Sequence, residues 1–538
     1  MNLTTAVRAD SRLWHVVGVL LTVIATAAIV STYAVFNNMY DEPATIAAGM
    51  EWLSLGTYTY EPQHPPLTRI AAALGPYLAG ERGTGHWEGQ MYAEGRSILG
   101  AGDHYQRILT LARLGELPFF IMLAVVTWYW AWQVADRRTA ALAVFFVVAN
   151  PNVLAHAGVA GVDMGPAALM PAALLAWAMW LENPSTGRSV ALGILVALCG
   201  LTKFTGLAYW FPAAIGVAIY AVATTRRDLR GIGGWKLLRR LSVAVLVAAV
   251  ITWATYRFSV GRVGPLMLPA PELFTGLAAF FRHGTGGHPA FLLGHVRFGG
   301  WWYYDIVVLL VKTPIPLLLL GGLGTALVAG RMRPRPPGDH AAAAPRCTLT
   351  EVALICGVAS IVLVSTVTPV DLGVRLLLAT YPMLAVLAAV GFMWAWSRAR
   401  HSSTRFATAA LLAWTVLEPV VTHPDYIAYF NQLAGPDPER VLVDSNLDWG
   451  QDLYRLRDVA NALHMDSLRV HYFGTAEFRA VGLERARRLA PNERVTGWVA
   501  ASETFYAGVW ADSALHWLHA YEPIARVGHS IRLYYIRP

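Results

Sequence analysis

Apolar runs close to 20 residues long recur along this chain, and that repetition restricts its fold more than any other feature. A helix needs about 20 apolar residues to cross the roughly 30 Å hydrocarbon core of a bilayer. Backbone amides have no water to bond there, so only helices or closed barrels can span it. Runs of this kind are read at 14–36, 114–134, 139–153, 165–181, 189–202, 206–222, 241–256, 303–330, 350–368, 376–396 and 406–421. The eighth is expected to break at Pro314 and Pro316. Charge supports this reading: Asp, Glu, Lys and Arg make up 14% of the chain, against about 25% in a soluble domain. The chain therefore reads as a polytopic α-helical membrane protein of about eleven spans. The first run is too long for the h-region of a cleavable signal. The three cysteines (Cys199, Cys347, Cys356) form no metal or disulfide spacing.

The connections between runs alternate in charge. One set holds Arg8 and Arg12, Arg137 and Arg138, Arg188, the run Arg226, Arg227, Arg230, Lys236, Arg239 and Arg240, then Arg331, Arg333 and Arg335, and finally Arg398, Arg400 and Arg405. Short loops rich in Lys and Arg stay in the cytoplasm. This places the N-terminus inside and assigns the net charge of +8 to topology, with no need of a nucleic-acid partner. The other connections (37–105, 154–164, 203–205, 257–302, 369–375 and everything after 421) are expected outside a plasma membrane.

Residues 1–421 thus form a membrane module, with 37–105 its first outer loop, and residues 422–538 an extracytoplasmic domain. That tail gains charge and alternates short β-like runs with an amphipathic helix. Strands are expected at Val441–Asp444, Leu468–Phe473, Arg494–Ala500 and Ile531–Ile536, and a helix at Leu453–Leu463, giving a small α/β domain. No internal repeat is visible, which weighs against the inverted-repeat transporters.

The first outer loop opens with Asn38-Met39-Tyr40-Asp41-Glu42-Pro43. Two adjacent carboxylates where the apolar slab meets water either cap the helix that Pro43 starts or perform chemistry. The stretch after Pro43 is amphipathic, with Ile46, Met50 and Leu53 on one face; Gln63-His64-Pro65-Pro66 then starts a second short helix, Leu67–Leu78. Two helices lying along the membrane surface would hold the acidic pair at the lipid boundary.

A first span, Asp-Glu, an interfacial helix and a His-Pro-Pro-Leu turn resemble the GT-C glycosyltransferases of the protein-O-mannosyltransferase and aminoarabinose-transferase superfamily, in particular its bacterial phospholipid-carrier-dependent members of family 39 type. The likeness continues through Asn150-Pro151 with His156 and Gly161-Val162-Asp163, Gly200-Leu201-Thr202-Lys203, Trp301-Trp302-Tyr303-Tyr304 with Lys312-Thr313-Pro314, and Gly373-x-Arg375 with Tyr381-Pro382. Ser445-Asn446-Leu447-Asp448-Trp449-Gly450-Gln451-Asp452 resembles a bacterial branch of the same superfamily. The chain departs from the aminoarabinose enzymes at Gln63-His64, where they carry Glu-Lys, which weakens transfer of their metal site. It also has Asp371, Leu376 and Ala379 where relatives in the bacterial branch tend to have Asn, an aromatic or His, and Pro, so substrate identity is not inherited.

The resemblance implies transfer of a monosaccharide from polyprenyl phosphate to a hydroxyl acceptor on the outer face, by an inverting route. It implies Asp41 as the base that takes the acceptor proton, with Glu42 beside it to orient an acceptor or contact a cation. Cations for the donor phosphate are expected from Lys203, His64, Arg375 and Lys312; snorkelling to the interface is the alternative for the lysines and Arg375, and a structural role for His64. Asp163, His156, Arg297, Trp302 and Tyr303 are expected around the substrate vestibule. Asp163 is equally suited to cap the helix after it, and the Trp-Tyr run to an interfacial aromatic belt. The stretch Arg282, His283, His288, His295, Arg297 leaves a divalent cation open but has no standard ligand spacing. A transporter or lipid flippase, the alternative reading, would place ionisable residues near mid-span, whereas here they gather at one side.

Overall fold

A computed structural model describes residues 3–83, 90–224, 234–332, 347–510 and 514–538. Arg226, Arg227, Arg230, Arg333 and Arg335 of the basic loops lie outside the described residues, as does the Arg8 side chain. The chain is a multi-pass membrane protein. Among the described residues eight helices are long and apolar enough to cross a bilayer: Arg12–Ser31, Gly102–Val134, Met164–Glu182, Phe204–Thr224, Gly234–Thr255, Ile315–Met332, Leu349–Val367 and Thr380–Arg398. A ninth span is made if Arg137–Val148 and Pro151–Ala157, bent by 67°, count together. The other two expected spans are helical but differ: Thr186–Thr202 has only 17 residues, and Ser402–Thr422 carries Arg405 and Glu418 within it. The break in the eighth run falls between Lys312 and Ile315.

The bundle is apolar on its outside, as lipid requires. The first span exposes Leu13, Val16, Val19, Leu20, Val23 and Ile24, and Ser402–Thr422 exposes Phe406, Val416, Leu417, Val420 and Val421. Met164–Glu182 and Thr380–Arg398 form the interior. Helix approach there depends on small residues: a Cβ added at Gly324 would fall 1.9 Å from the Leu387 carbonyl oxygen.

The first loop is helical where expected. Glu42–Ser54 and Leu67–Leu78 are helices, and the surrounding protein buries the former over Glu42–Glu51. Between its large apolar positions lie small residues (Ala44, Ala47, Ala48, Gly49), so neighbouring backbones close over them; a Cβ at Gly49 would lie 2.0 Å from the Arg69 carbonyl oxygen. Helices Met91–Leu99 and Gly102–Leu114 complete this packed layer.

Two small hairpins occupy the 257–302 loop, β1 (Val260–Val263) with β2 (Leu266–Pro269) and β3 (Pro289–Leu292) with β4 (His295–Phe298). Pro271–Gly286 is a helix between them. The C-terminal sheet contains β5 (Leu468–His471), β6 (Ala486–Arg488), β7 (Gly497–Ser502), β8 (Ala525–Val527) and β9 (Ile531–Ile536), in the order β6-β5-β7-β9-β8. β5 runs parallel to β6 and β7, and β9 antiparallel to β7 and β8. The helix Leu453–Ala462 lies where expected. Val441–Asp444 forms no strand: its backbone bonds go to loops, with Leu293 N–H donating to the Val441 carbonyl, and Asp444 takes a left-handed φ of 58° that ends any extended run.

The parallel strands point their C-terminal ends at the bundle. Thr475 Oγ1 just beyond β5 donates to the Tyr40 carbonyl at 2.8 Å, and the Thr504 amide beyond β7 donates to Asp448 at 2.9 Å. Open α/β sheets place ligands outside this end of their strands. The loops 37–42, 158–163, 203 and 369–375 converge at the same end of the bundle.

Candidate active site

Asp41 stands at the N-cap position of the helix Glu42–Ser54, yet its side chain makes no capping bond. Its carboxylate instead accepts from Arg375 Nη1 at 2.9 Å, a contact across 334 residues. Asp163, before the helix Met164–Glu182, also caps nothing with its side chain. One of its oxygens accepts from Lys203 Nζ at 2.7 Å and the other from Arg375 Nε at 2.9 Å. Two cations and two carboxylates thus form one chain, Asp41–Arg375–Asp163–Lys203. Asp163 is buried, which alone would raise its carboxyl; Arg375 and then Lys203 outweigh that and hold it well below the usual range. The Asp41 side chain is 32% exposed, against 3% for Asp163, 8% for Lys203 and 9% for Arg375, so the cluster opens at Asp41.

Arg375 is positioned from the C-terminal region. Asn446 Oδ1 accepts the Val374 amide at 3.0 Å, and Ser445 Oγ donates to the Leu372 carbonyl at 3.0 Å. Gly373, with φ 76°, lets the loop pass against Asn446, whose side chain a Cβ would strike at 2.1 Å. The guanidinium lies 4.5 Å from the Trp449 ring centroid, and the His156 ring sits 5.7 Å from the same indole. The motif Ser445–Asp452 therefore clamps the arginine loop and supplies an aromatic plate beneath it.

Around the open end of Asp41 stand Tyr40, stacked on Phe473 at 5.1 Å, and Tyr92, edge-on to Tyr40 at 5.5 Å. Burial, then the nearby Asp41 charge, raises the Tyr92 phenol. Beside Lys203 opens an apolar cavity of about 690 Å³ between helices Thr186–Thr202, Phe204–Thr224 and Gly234–Thr255, with Gly200, Leu201, Phe204 and Trp253 among its walls.

Glu42 and Lys312 are set apart from this cluster. Glu42 is wholly buried, takes Arg113 Nε at 2.9 Å and Nη2 at 2.8 Å, and accepts the Met39 and Ala160 amides as well. With both oxygens engaged inside protein, it holds the loop. Lys312, also fully buried, donates to the Ile427 and Asn446 carbonyls at 2.9 and 2.7 Å and lies over Phe430. It ties the chain after the last long helix to the bundle and is held away from the Asp41–Arg375–Asp163–Lys203 chain. His64 Nδ1 bonds Glu61 at 3.1 Å, and Glu61 takes Arg69 at 2.6 Å. Burial pushes the imidazole below its usual value, against the protonated form expected for binding phosphate. Arg297 on β4 and Trp302 are exposed, and Tyr303 touches Trp302 edge-on; none of the three makes a hydrogen bond or ion pair with the cluster.

Among the described residues no group of three or more His, Cys, Asp or Glu is placed to hold a metal ion. The His-rich stretch does bring His283 and His288 together, their Nε2 atoms 3.1 Å apart. Burial, then His283 and Arg375, lowers His288 to about 4, so it is neutral at neutral pH.

The fold is shared with solved membrane-protein structures. The solved structure of ArnT from Cupriavidus metallidurans in the apo state matches at 14% identity over 96% of this chain and 97% of that one, with a TM-score of 0.50. ArnT from the same organism bound to undecaprenyl phosphate matches at 15% identity over 96% and 97%, with a TM-score of 0.48. Archaeal oligosaccharyltransferase AglB from Archaeoglobus fulgidus, in complex with an inhibitory peptide and a dolichol-phosphate, matches at 14% over 97% and 74%, with a TM-score of 0.45. No protein-family model and no curated protein sequence matches the chain.

Proposed function

We propose that this chain transfers a monosaccharide from a polyprenyl-phosphate carrier to a hydroxyl acceptor on the outer face of the plasma membrane, with inversion at the sugar. The observation that carries the reading is the ionic chain Asp41–Arg375–Asp163–Lys203 beside an apolar cavity between helices, whose wall includes Leu201 and Phe204 on either side of Lys203. A lipid phosphate has that same division: an anionic head for Lys203 and Arg375, and an isoprenoid tail for the cavity. The fold shared with ArnT supports the same reaction class.

In the reaction the acceptor oxygen attacks the anomeric carbon as the bond to the carrier phosphate breaks. The phosphate leaves with the bonding pair, and the acceptor proton passes to Asp41. General-base help of this kind contributes about 10²–10⁴-fold. Asp41 is engaged with Arg375 at 2.9 Å. An arriving phosphate competes for that guanidinium and frees the carboxylate, so the base becomes available when the donor is bound. The Tyr40, Tyr92 and Phe473 rings are suited to stack on a sugar face.

The domain division at residues 421 and 422 belongs to the same reading, since the last long helix ends at Thr422. Lipid extracts of cells lacking the protein test the function directly: a sugar-loaded polyprenyl phosphate should accumulate relative to wild type, and an unchanged carrier pool would sink the reading. A reporter active only outside the cytoplasm should work when fused after residues 100, 300 or 430 and stay silent after 230 or 340. Reversal at two of these points would remove the outward-facing site.

A further inference from the structure

The C-terminal sheet has a second end, away from the bundle, formed where β5 and β7 begin and β9 finishes. It lies about 17 Å from the bundle-facing end of β7, taking ~3.3 Å per residue along that strand. A cavity of about 730 Å³ opens there, walled by Arg469, Arg494, Thr496, Trp517, Tyr521 and Arg537. That volume falls within the ~300–1,000 Å³ of small-molecule sites.

Its chemistry is selective. Arg469 is paired with Glu493, the carboxylate on this rim. Arg494 and Arg537 are exposed and form no ion pair among the described residues. Trp517 and Tyr521 meet at 81° with centroids 5.9 Å apart, giving a floor and a wall, and Tyr521 is 44% exposed. The Trp517 indole N–H is buried without an acceptor. Guanidinium forks match carboxylate or phosphate oxygens, and aromatic faces offer broad, rigid apolar area beside them. A purely structural rim would pair its arginines, and a plain anion hole would need no stacked rings.

We infer that this end of the sheet binds an acidic saccharide, a sugar ring lying on Trp517 and Tyr521 with its carboxylate or phosphate held by Arg494 and Arg537. The site shares no residue with the Asp41 cluster, so its test is independent of whatever the bundle transfers.

The test is binding to the full chain in nanodiscs by microscale thermophoresis. The probes are trigalacturonate (carboxylate), mannose 6-phosphate (phosphate), neutral maltotriose, a Glu-Glu-Glu peptide and inorganic phosphate. At least one of the acidic sugars should bind, at least tenfold more tightly than the other three probes and more weakly as salt rises. The exposed-residue variant Arg494→Ser/Arg537→Ser should weaken it tenfold or more, and Tyr521→Ala severalfold. Failure of both acidic sugars to bind would overturn the inference. So would equal binding by maltotriose, by the peptide or by inorganic phosphate, or unchanged affinity in the arginine double variant.

Discussion

Asp41 and Glu42 are neighbours in the chain, and the two ionic knots they enter are opposites. Glu42 and Arg113 are both almost wholly buried; the arginine also donates to the Phe36 and Asn37 carbonyls at 3.0 and 2.8 Å, and Glu42 takes two backbone amides. Every strong donor and acceptor there is matched inside the protein. In the Asp41 cluster Arg375 is shared between two carboxylates, Lys203 has a single carboxylate contact, and Asp41 remains a third exposed. A saturated buried knot fixes a loop, because nothing from outside can enter without losing more than it gains. An open cluster with exchangeable contacts can admit an anion. The difference lies in saturation, not in residue type.

The largest expected effect comes from breaking the saturated knot. Glu42→Gln or Arg113→Met leaves the partner charge buried and unpaired, which costs about 3–5 kcal/mol. Detergent-purified protein should show a clearly lower Tm, or fail to elute as a single species. Normal yield and Tm in both variants would erase the contrast.

Next is Asp41→Asn, which should lower transfer about 10²–10⁴-fold with Tm close to wild type. The side chain caps nothing, and Asp163 still holds Arg375, so little stability is at stake. Turnover at the wild-type rate would make Asp41 a second structural knot.

Lys203→Met sharpens the comparison at the other end of the cluster. A hydrogen bond to a charged group contributes about 1.5–3 kcal/mol, so the donor KM should rise about 10–100-fold, while Lys203→Arg keeps part of the activity because charge survives with altered geometry. A lysine that only reaches the interface would leave the donor response of the Met variant unchanged.

Much of this arrangement was legible because membranes make charge placement informative. Asp41, Asp163, Lys203 and Arg375 stand out in the sequence as ionisable residues at the ends of apolar runs, and the structure brings these four together. Arg113 gave no such signal, since it falls at the edge of an apolar run where a basic loop end is ordinary, and its partner is 71 residues away. Lys312 looked like Lys203 by position, yet the carbonyls that hold it come from a segment beyond the last long helix. Helix Glu42–Ser54 was legible as a helix but the burial of its second face was not, because Ile46, Met50 and Leu53 alternating with Ala and Gly read as amphipathic, when small residues there admit backbones on the other side. Trp449 was visible only as part of a motif, because a ring that supports an arginine across 74 positions leaves no periodic trace.

Trp449 therefore yields the smallest and most diagnostic effect. Its ring lies 4.5 Å from the Arg375 guanidinium and its carbonyl accepts the Tyr40 amide at 2.9 Å, so it touches both sides of the open cluster. The backbone contact survives substitution, which isolates the ring. A cation–π contact contributes about 0.5–2 kcal/mol, and Trp449→Leu removes it while retaining an apolar side chain. The donor KM should rise about 2- to 30-fold, and Trp449→Phe, which keeps a weaker aromatic face, should fall between Leu and wild type. If the ring merely fills space, Phe and Leu would shift Tm together and leave KM untouched. The order Trp, Phe, Leu in KM, at nearly constant Tm, is what a plate beneath an exchangeable arginine requires; Tyr33→Leu, which removes the ring 5.9 Å from the saturated Arg113, should move stability alone.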